Sequence, residues 1–315
     1  MDDYGFSTSS NSNNDVHQSK TMDAYSSSIS SNSNNDVHQS KTMDDYGSTT
    51  SSNNNNSVDQ SKTTKIHQHK IHLVSDLHLE KWKTIPIYLQ HVEADILVLA
   101  GDIGHPFSQI YHQLISMCAQ QFKHVILITG NHEYYKTEEL KSMEDIDERV
   151  QHIANQYPNV YFLNRQAIVI DHLVFIGCTL WSLPEKKLFH MNYITSDFRN
   201  IKDMNISRYR DLFMINRNYI RSTMMKYKHH KIVVVTHHVP SYKFMVPKYR
   251  NDTKRSFYAS NLEHLIKNAD YWLCGHTHNS CYLHIHQCHC YVNSYGYPHE
   301  THHITHFNPH LIIDV

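Results

Sequence analysis

The stretch "LVLAGDIGHP" (97–106) shows the pattern on which the fold prediction depends. Its first four residues are apolar and suit a strand that is buried on both faces. Gly101 ends the run and Asp102 follows directly. Because glycine adopts backbone conformations closed to other residues, the chain can turn sharply there. The segment therefore predicts a buried strand that presents a carboxylate at its carboxyl end.

Four other segments repeat this arrangement of an apolar run followed by a side chain able to bind a metal ion. They are "LVSDLHLE" (73–80), "ILITGNHEYY" (126–135), "VVVTHHVPS" (233–241) and "WLCGHTHNS" (272–280). The chain contains 29 histidines, so a His-x-His pair alone carries little weight. Ligands of open α/β sheets bind at the carboxyl ends of the strands, so these five segments are predicted to converge at one edge.

Seven side chains are the candidate metal ligands. Carboxylate, amide oxygen and imidazole without thiolate suit hard to borderline divalent cations, and Mn, Fe, Zn, Mg and Ni all remain open. The number suits two ions with bound water, and Asp102 is the expected bridge because a carboxylate has two oxygens. The seven are Asp76, His78, Asp102, Asn131, His237, His276 and His278.

Short apolar runs alternate with helical patterns from residue 67 onward, which predicts an α/β domain with mixed sheets. Helices are predicted at 137–156, 207–228 and 260–267, the first with Thr137 as N-cap and Leu140 on its apolar face. "CYLHIHQCHC" (281–290) is interpreted as a hairpin rather than a zinc site. Strands are predicted at 71–75, 95–100, 124–130, 167–171, 173–181, 231–237 and 271–275.

Residues 1–66 have a different composition. "NSNNDVHQSKTMD" (11–23) recurs at 32–44, and a degraded copy lies at 53–63, which gives a repeat of 21 residues. Each unit is polar and lacks an apolar stripe, so we expect a disordered, low-complexity tail without a binding role of its own. The single folded domain is predicted to cover 67–315.

The bulk composition excludes some classes of protein. The net charge of −1 argues against a duplex-binding protein that relies on phosphate neutralisation. The chain contains no run of 18 apolar residues, so no membrane-spanning helix is predicted. The N-terminus also has no apolar signal core. A cytoplasmic protein with reduced cysteines is therefore expected, while the oligomeric state stays open.

The motifs carry a resemblance to a known family. Asp76-x-His78, "GDIG" (101–104), "GNHE" (130–133), "THH" (236–238) and "GHTH" (275–278) resemble, in this order, the five motifs of the calcineurin-like metallophosphoesterases. The resemblance covers the whole of 67–315. "CTLW" (178–181), "SDFR" (196–199), "FYASNLEHLI" (257–266) and "NSYGYPHE" (293–300) are similar to a group of small, single-domain members.

The resemblance implies an α/β fold, a four-layer αββα sandwich of two mixed sheets with a dinuclear metal site at the carboxyl edge of the strands. It also implies two sets of ligands and a general acid. His132 would protonate the leaving oxygen while a hydroxide bridging the two metal ions attacks phosphorus. The first ion would take Asp76, His78, Asp102 and His278, and the second Asp102, Asn131, His237 and His276.

The substrate is expected to be a phosphoester, and its type stays open. "GDIGHP" and "GNHEYY" lack the two arginines that clamp phosphate in the phosphoprotein phosphatases of this superfamily, which favours a small or nucleotide-like phosphodiester. A phosphomonoesterase or protein phosphatase, a nuclease with nucleic acid only as substrate, and a non-catalytic scaffold are the alternatives. The complete ligand set and His132 argue against the scaffold.

Four further residues lie beside these motifs. Glu133 is expected either to orient a neighbour or to be solvated, and neither is favoured. His105 and His238 are interpreted as structural rather than as contacts to phosphate. Arg199 is expected to pair with Asp197 rather than to bind substrate.

Overall fold

The computed structural model describes residues 68–85, 92–137, 139–188, 195–300 and 305–315. The predicted tail, residues 1–66, lies outside the described residues, so its disorder stays a prediction. A compact unit extends from Ile66 to Val315.

Two mixed sheets form the centre of this unit. The first has the strand order β11-β1-β2-β3-β4 and the second β5-β6-β7-β8-β10-β9. In each sheet the central strands run parallel and an antiparallel strand lies at an edge. The strands are β1 Lys70–Val74, β2 Ile96–Ala100, β3 His124–Ile128, β4 Val160–Phe162, β5 Gln166–Ile170, β6 Leu173–Cys178, β7 Lys231–Thr236, β8 Tyr271–Cys274, β9 Cys281–Ile285, β10 Cys288–Val292 and β11 Ile312–Asp314.

The alternation of side chains in the strands produces the layers. In β2, Ile96 and Val98 pack between the two sheets, whereas Leu97 and Leu99 face the other way. Because successive side chains of a strand point to opposite faces, one fully apolar strand serves two cores. The predicted four-layer αββα sandwich is confirmed.

Helices cover the outer faces of the sheets. Residues of α1 (Gln109–Gln121) and α2 (Met143–Ala154) pack in one core with the outer face of the first sheet. Residues of α4 (Ile206–Lys226) pack with the outer face of the second sheet. Two single-turn helices, α3 (Asp197–Asn200) and α5 (Glu263–Ile266), lie near the loops. The sequence interpretation did not include α1, whose N-cap is Ser108.

The predicted start of the helix at 137–156 is wrong. The helix begins at Met143, where Ser142 caps it and Asp145 completes a capping box. The Ser142 hydroxyl accepts from the Asp145 N–H at 3.0 Å, and the Asp145 carboxylate accepts from the Ser142 N–H at 2.8 Å. Two reciprocal bonds fix a helix start better than the lone hydroxyl of Thr137. Leu140, which precedes the helix, is 53% exposed.

The C-terminal hairpin forms as predicted, with β9 antiparallel to β10. Cys288 and Cys290 are buried within it. Several predicted strands end earlier than expected, since β3 stops at Ile128 and β6 at Cys178. The chain turns into loops there. Among the described residues, no helix is long and apolar enough to cross a membrane.

Candidate metal centre

The loops after β1, β2, β3, β7 and β8 bring the predicted ligands together at one edge of the fold. Five of the seven ligands have a left-handed backbone, with φ between 47° and 70°. Such conformations cost on the order of 1–3 kcal/mol each and are concentrated at functional sites. The five are Asp76, His78, Asp102, His276 and His278.

One cluster of possible ligands comprises Asp76, His78 and His278. The Oδ1 atom of Asp76 lies 3.4 Å from Nε2 of His278. The Nε2 atoms of His78 and His278 are 3.1 Å apart. Asp76 is fully buried, and its other oxygen accepts from the hydroxyls of Ser75 and Ser294 at 2.5 and 2.6 Å.

A second cluster comprises Asp102, His237 and His276. The Nε2 atom of His237 lies 3.2 Å from Oδ2 of Asp102, 3.2 Å from Nδ1 of His276 and 3.1 Å from Oδ1 of Asn131. The same Oδ2 atom of Asp102 lies 3.8 Å from Nε2 of His78. Asp102 therefore lies between the two clusters, where a bridging ligand would have to be.

The outer nitrogens of three imidazoles are already hydrogen-bonded to oxygen. Nδ1 of His237 contacts the carbonyl of Ala100 at 2.9 Å, and Nδ1 of His278 contacts the Glu300 carboxylate at 2.5 Å. Nδ1 of His78 lies 3.1 Å from Glu80. Donation from each Nδ1 leaves the Nε2 lone pair directed at the centre, which is the tautomer that binds metal. The donor set thus fits divalent cations.

The charges of the centre lead to the same conclusion. Burial lowers the pKa of His237, yet Asp102 and Asp76 outweigh burial and raise it to about 10. For His278, burial is likewise outweighed, by Asp76 and Glu300, and the pKa rises to about 9. The two buried carboxylates therefore require positive charge, which protons supply in the metal-free state and cations would supply otherwise.

The Glu133 side chain connects the loops that follow β2 and β3. The side chain is fully buried and accepts backbone N–H groups of Asp102, Ile103 and Gly130 at 3.0, 2.7 and 2.7 Å. Burial, followed by the charge of Asp102, raises the pKa of Glu133 to about 7. The solvated alternative is wrong, because Glu133 is buried and holds the backbone of Asp102, Ile103 and Gly130.

Asp197 fixes the side-chain amide of Asn131. Its Oδ1 atom accepts from Nδ2 of Asn131 at 2.9 Å and from the Tyr135 hydroxyl at 2.7 Å. With its nitrogen held there, the amide oxygen of Asn131 faces His237. The predicted pair with Arg199 is wrong, because Asp197 is buried under these donors while Arg199 is exposed. Among the described residues the two form no ion pair.

His132 contacts Asp102 through its backbone and two tyrosines, Tyr135 and Tyr297, through its ring. Its backbone N–H donates to Oδ1 of Asp102 at 2.8 Å, and its ring stacks on Tyr135 with centroids 4.1 Å apart. Nε2 lies 3.2 Å from the Tyr297 hydroxyl, and Nδ1 lies 3.7 Å from Glu80. Asp102 and Glu80 outweigh burial and raise the pKa of His132, so the imidazolium is favoured here.

His238 and His105 lie near the centre without joining either cluster. His238 is fully buried, its Nε2 atom lies 3.2 Å from the Tyr209 hydroxyl, and its ring stacks on His276 at 3.9 Å. Burial lowers the pKa of both His238 and His105. Their interpretation as structural residues stays a prediction.

Sequence reasoning missed four partners of the site. Glu80 had a signal, because it follows His78 by two residues within the same motif. Glu300 and Tyr297 lie in "NSYGYPHE" (293–300), whose resemblance to the small family members gave no role to either residue. Their loop lies outside the five strand-end segments. Asp197 was noticed but assigned to the wrong partner.

An αββα sandwich that joins two carboxylate–imidazole clusters at its strand ends defines a candidate dinuclear metallohydrolase. The family model "Calcineurin-like phosphoesterase" matches residues 69–280. The chain belongs to this family of metal-dependent phosphoester hydrolases. The family uses a dinuclear site of divalent cations, with which the two clusters are consistent.

Two other comparisons extend this result. The protein L509 of Acanthamoeba polyphaga mimivirus is 26% identical over an alignment of 269 residues, and the alignment covers 77% of this chain and 95% of the relative. The crystal structure of the phosphopantetheinyl hydrolase PptH from Mycobacterium tuberculosis superimposes with a TM-score of 0.58 at 14% identity. The superposition covers 78% of this chain and 95% of the mycobacterial protein. At this identity the likeness concerns the fold alone.

Proposed function

We propose that this protein hydrolyses a phosphodiester and that two divalent cations are bound as the motifs predict. The first cation would take Asp76, His78, Asp102 and His278. The second would take Asp102, Asn131, His237 and His276. The observation that carries the proposal is the position of Asp102, whose Oδ2 atom lies within 3.8 Å of one nitrogen from each cluster.

The bound cations supply Lewis acidity, which polarises the phosphoryl oxygens and lowers the pKa of coordinated water. The chain's own residues position that chemistry. Asp102 has one oxygen for the centre and holds the other on the His132 backbone N–H. Glu133 and Asp197 keep the loops and the Asn131 amide in place.

His132 is the proposed general acid. Its Nε2 atom contacts the Tyr297 hydroxyl at the centre, so that nitrogen can deliver a proton to a leaving oxygen located there. Its other nitrogen faces Glu80, which favours the protonated ring. The stack on Tyr135 restrains the ring plane. The raised pKa and the restrained ring plane support this role for His132.

A diester is favoured over a monoester because of charge. A monoester dianion gains more than a diester monoanion from arginines that clamp its oxygens. The two motifs "GDIGHP" and "GNHEYY" contain none. Small diesters, nucleotide-like compounds and phosphopantetheine esters, suggested by the name of the mycobacterial relative, are the substrates to test first.

The test compares turnover of bis(p-nitrophenyl) phosphate with that of p-nitrophenyl phosphate by protein reloaded with manganese. We expect metal-dependent cleavage of the diester, which Asp102→Asn and His276→Ala abolish. Asp211→Asn, an exposed Asp→Asn control on α4, should keep full activity. A faster monoester reaction would reject the diester preference. Full activity in Asp102→Asn would reject the metal assignment.

A further inference from the structure

Helix α4 begins beside the candidate metal centre. In its first turn, Tyr209 places its hydroxyl 3.2 Å from Nε2 of His238, whose ring stacks on His276. From there the helix runs to Lys226. Its apolar face, with Phe213 and Ile220, is buried against the second sheet. Its outer surface therefore leads from the edge of the centre across the domain.

Arginines follow one flank of this helix. Arg210, Arg217 and Arg221 are spaced by seven and four residues, which are about two turns and one turn. They form a straight stripe about 17 Å long. Lys228 follows just past the helix end. Arg210, Arg221 and Lys228 are exposed and Arg217 is partly exposed. We call these four residues the basic flank.

Positive charge is concentrated on this element. Helix α4 contains five Lys and Arg residues and one acidic residue, Asp211, although the whole chain carries a net charge of −1. Within the part of the chain that the structure describes, Arg217 and Arg221 form no ion pair with a carboxylate. Like charges four residues apart destabilise a helix by about 0.2–0.5 kcal/mol. Arg217 and Arg221 thus keep a repulsion that a bound polyanion would relieve.

We propose that the basic flank binds the phosphate backbone of a nucleic acid. Guanidinium groups form bidentate hydrogen bonds with phosphate, and a straight row of them matches a linear polyanion. Because the flank begins at the edge of the centre, a bound strand would extend toward it, which makes a polynucleotide the substrate class. That substrate assignment rests on the proposed function, whereas the binding does not.

The composition of the exposed surface of α4 favours a nucleic acid over a lipid surface. Helices that lie in a membrane insert a continuous apolar face. The exposed apolar residues of α4, Ile215 and Met225, alternate with the polar Asn218 and Ser222. The continuous apolar face of the helix is already used by the core. The exposed surface of α4 has basic groups and no continuous apolar face, so it suits a polyanion in solution better than a membrane.

The test measures binding of a fluorescent single-stranded oligonucleotide by anisotropy, in full-length protein that carries Asp102→Asn so that the probe stays intact. Arg217→Glu/Arg221→Glu is compared with Lys70→Glu/Lys267→Glu, a control with the same charge change at exposed lysines elsewhere. We expect the arginine pair to raise Kd at least about tenfold and to lower the salt slope by about 1.4, or 0.7 per lost phosphate contact. The lysine pair should stay within about twofold.

Three results would overturn the proposal: no binding of the oligonucleotide at about 50 mM salt, equal weakening by both pairs, or binding of anionic vesicles in its place. Circular dichroism and thermal melts confirm that each variant is folded. In the wild-type background, the arginine pair should hydrolyse bis(p-nitrophenyl) phosphate at the normal rate. If no diester is cleaved but binding depends on Arg217 and Arg221, the surface is upheld and the substrate assignment fails together with the proposed function.

Discussion

Gly101 provides the sharpest test of the site's geometry. It joins β2 to Asp102 with φ at +82°. A methyl group there would lie 2.6 Å from the backbone nitrogen of Gly130 and 2.7 Å from Nδ1 of His237. The first contact is to backbone, which cannot rotate away as a flexible side chain can. We therefore predict that Gly101→Ala disturbs both the fold and the centre.

The expected loss can be estimated from two effects. A left-handed alanine costs about 1–2 kcal/mol. Forcing a methyl group into a packed site costs about 1–3 kcal/mol more. We therefore expect the free energy of unfolding to fall by about 2–5 kcal/mol. Displacement of His237 from the Ala100 carbonyl should also weaken metal binding by about 10–100-fold, as loss of such an orienting bond does.

Urea denaturation and metal titration measure the two consequences separately. Gly177→Ala is the matched control, because its added methyl would also be crowded, by Cβ of Leu163, while none of its three nearest atoms belongs to a candidate ligand. The control should lose about 1–3 kcal/mol from packing and keep its metal affinity. Wild-type stability and wild-type metal affinity in Gly101→Ala would refute the close approach of Gly101, in the loop after β2, to Gly130, in the loop after β3.

Three further changes probe the surroundings of the centre. Asp197→Ala should weaken binding of one cation by about 10–100-fold, read by calorimetry, because the Asn131 amide loses its anchor; two unchanged binding steps would contradict this. Glu80→Ala should slow esters with poor leaving groups more than activated ones, because His132, the proposed general acid, loses its neighbouring carboxylate; an equal loss on both would argue for an effect on metal binding alone. Metal uptake at pH 7 should release protons from His237 and His278, measured as a buffer-dependent heat. Their raised pKa values stabilise the metal-free fold below about pH 6.5, and this stabilisation is lost as pH rises through about 9–10, so apparent metal affinity should rise over that window. A heat independent of the buffer would contradict it.

The sequence could predict the sheets and the place of the candidate ligands at one edge, because both follow from strand periodicity. A run such as Ile96–Ala100 identifies a strand buried on both faces, and parallel neighbours bring their carboxyl ends to one edge. Side chains directly after those ends, such as Asp102, are then placed by topology alone. The fold and the family were accordingly predictable from five short segments.

The partners of the ligands follow no such period. Glu300 reaches His278 from a loop, and the bond depends on the path of that loop rather than on any spacing. Asp197 had two potential partners in sequence, the nearby Arg199 and the distant Asn131, and only packing decides for the second. The start of α2 shows the same limit locally, because Thr137 and Ser142 are both acceptable caps and the reciprocal bond from Asp145 decides.

Backbone strain and buried charge both affect the stability of this candidate metal centre. Asp76 and Asp102 are both buried and both left-handed, so the fold accepts a backbone cost and a desolvation cost at the same two residues. Serine hydroxyls on Asp76 and the backbone N–H on Asp102 meet part of the second cost. The remainder falls on imidazoles, which must take up protons to meet it and so raise their own pKa values. A divalent cation removes that need, because it offsets both carboxylates while the imidazoles stay neutral. The arrangement that is costly in the metal-free chain is thus one that a bound divalent cation would relieve.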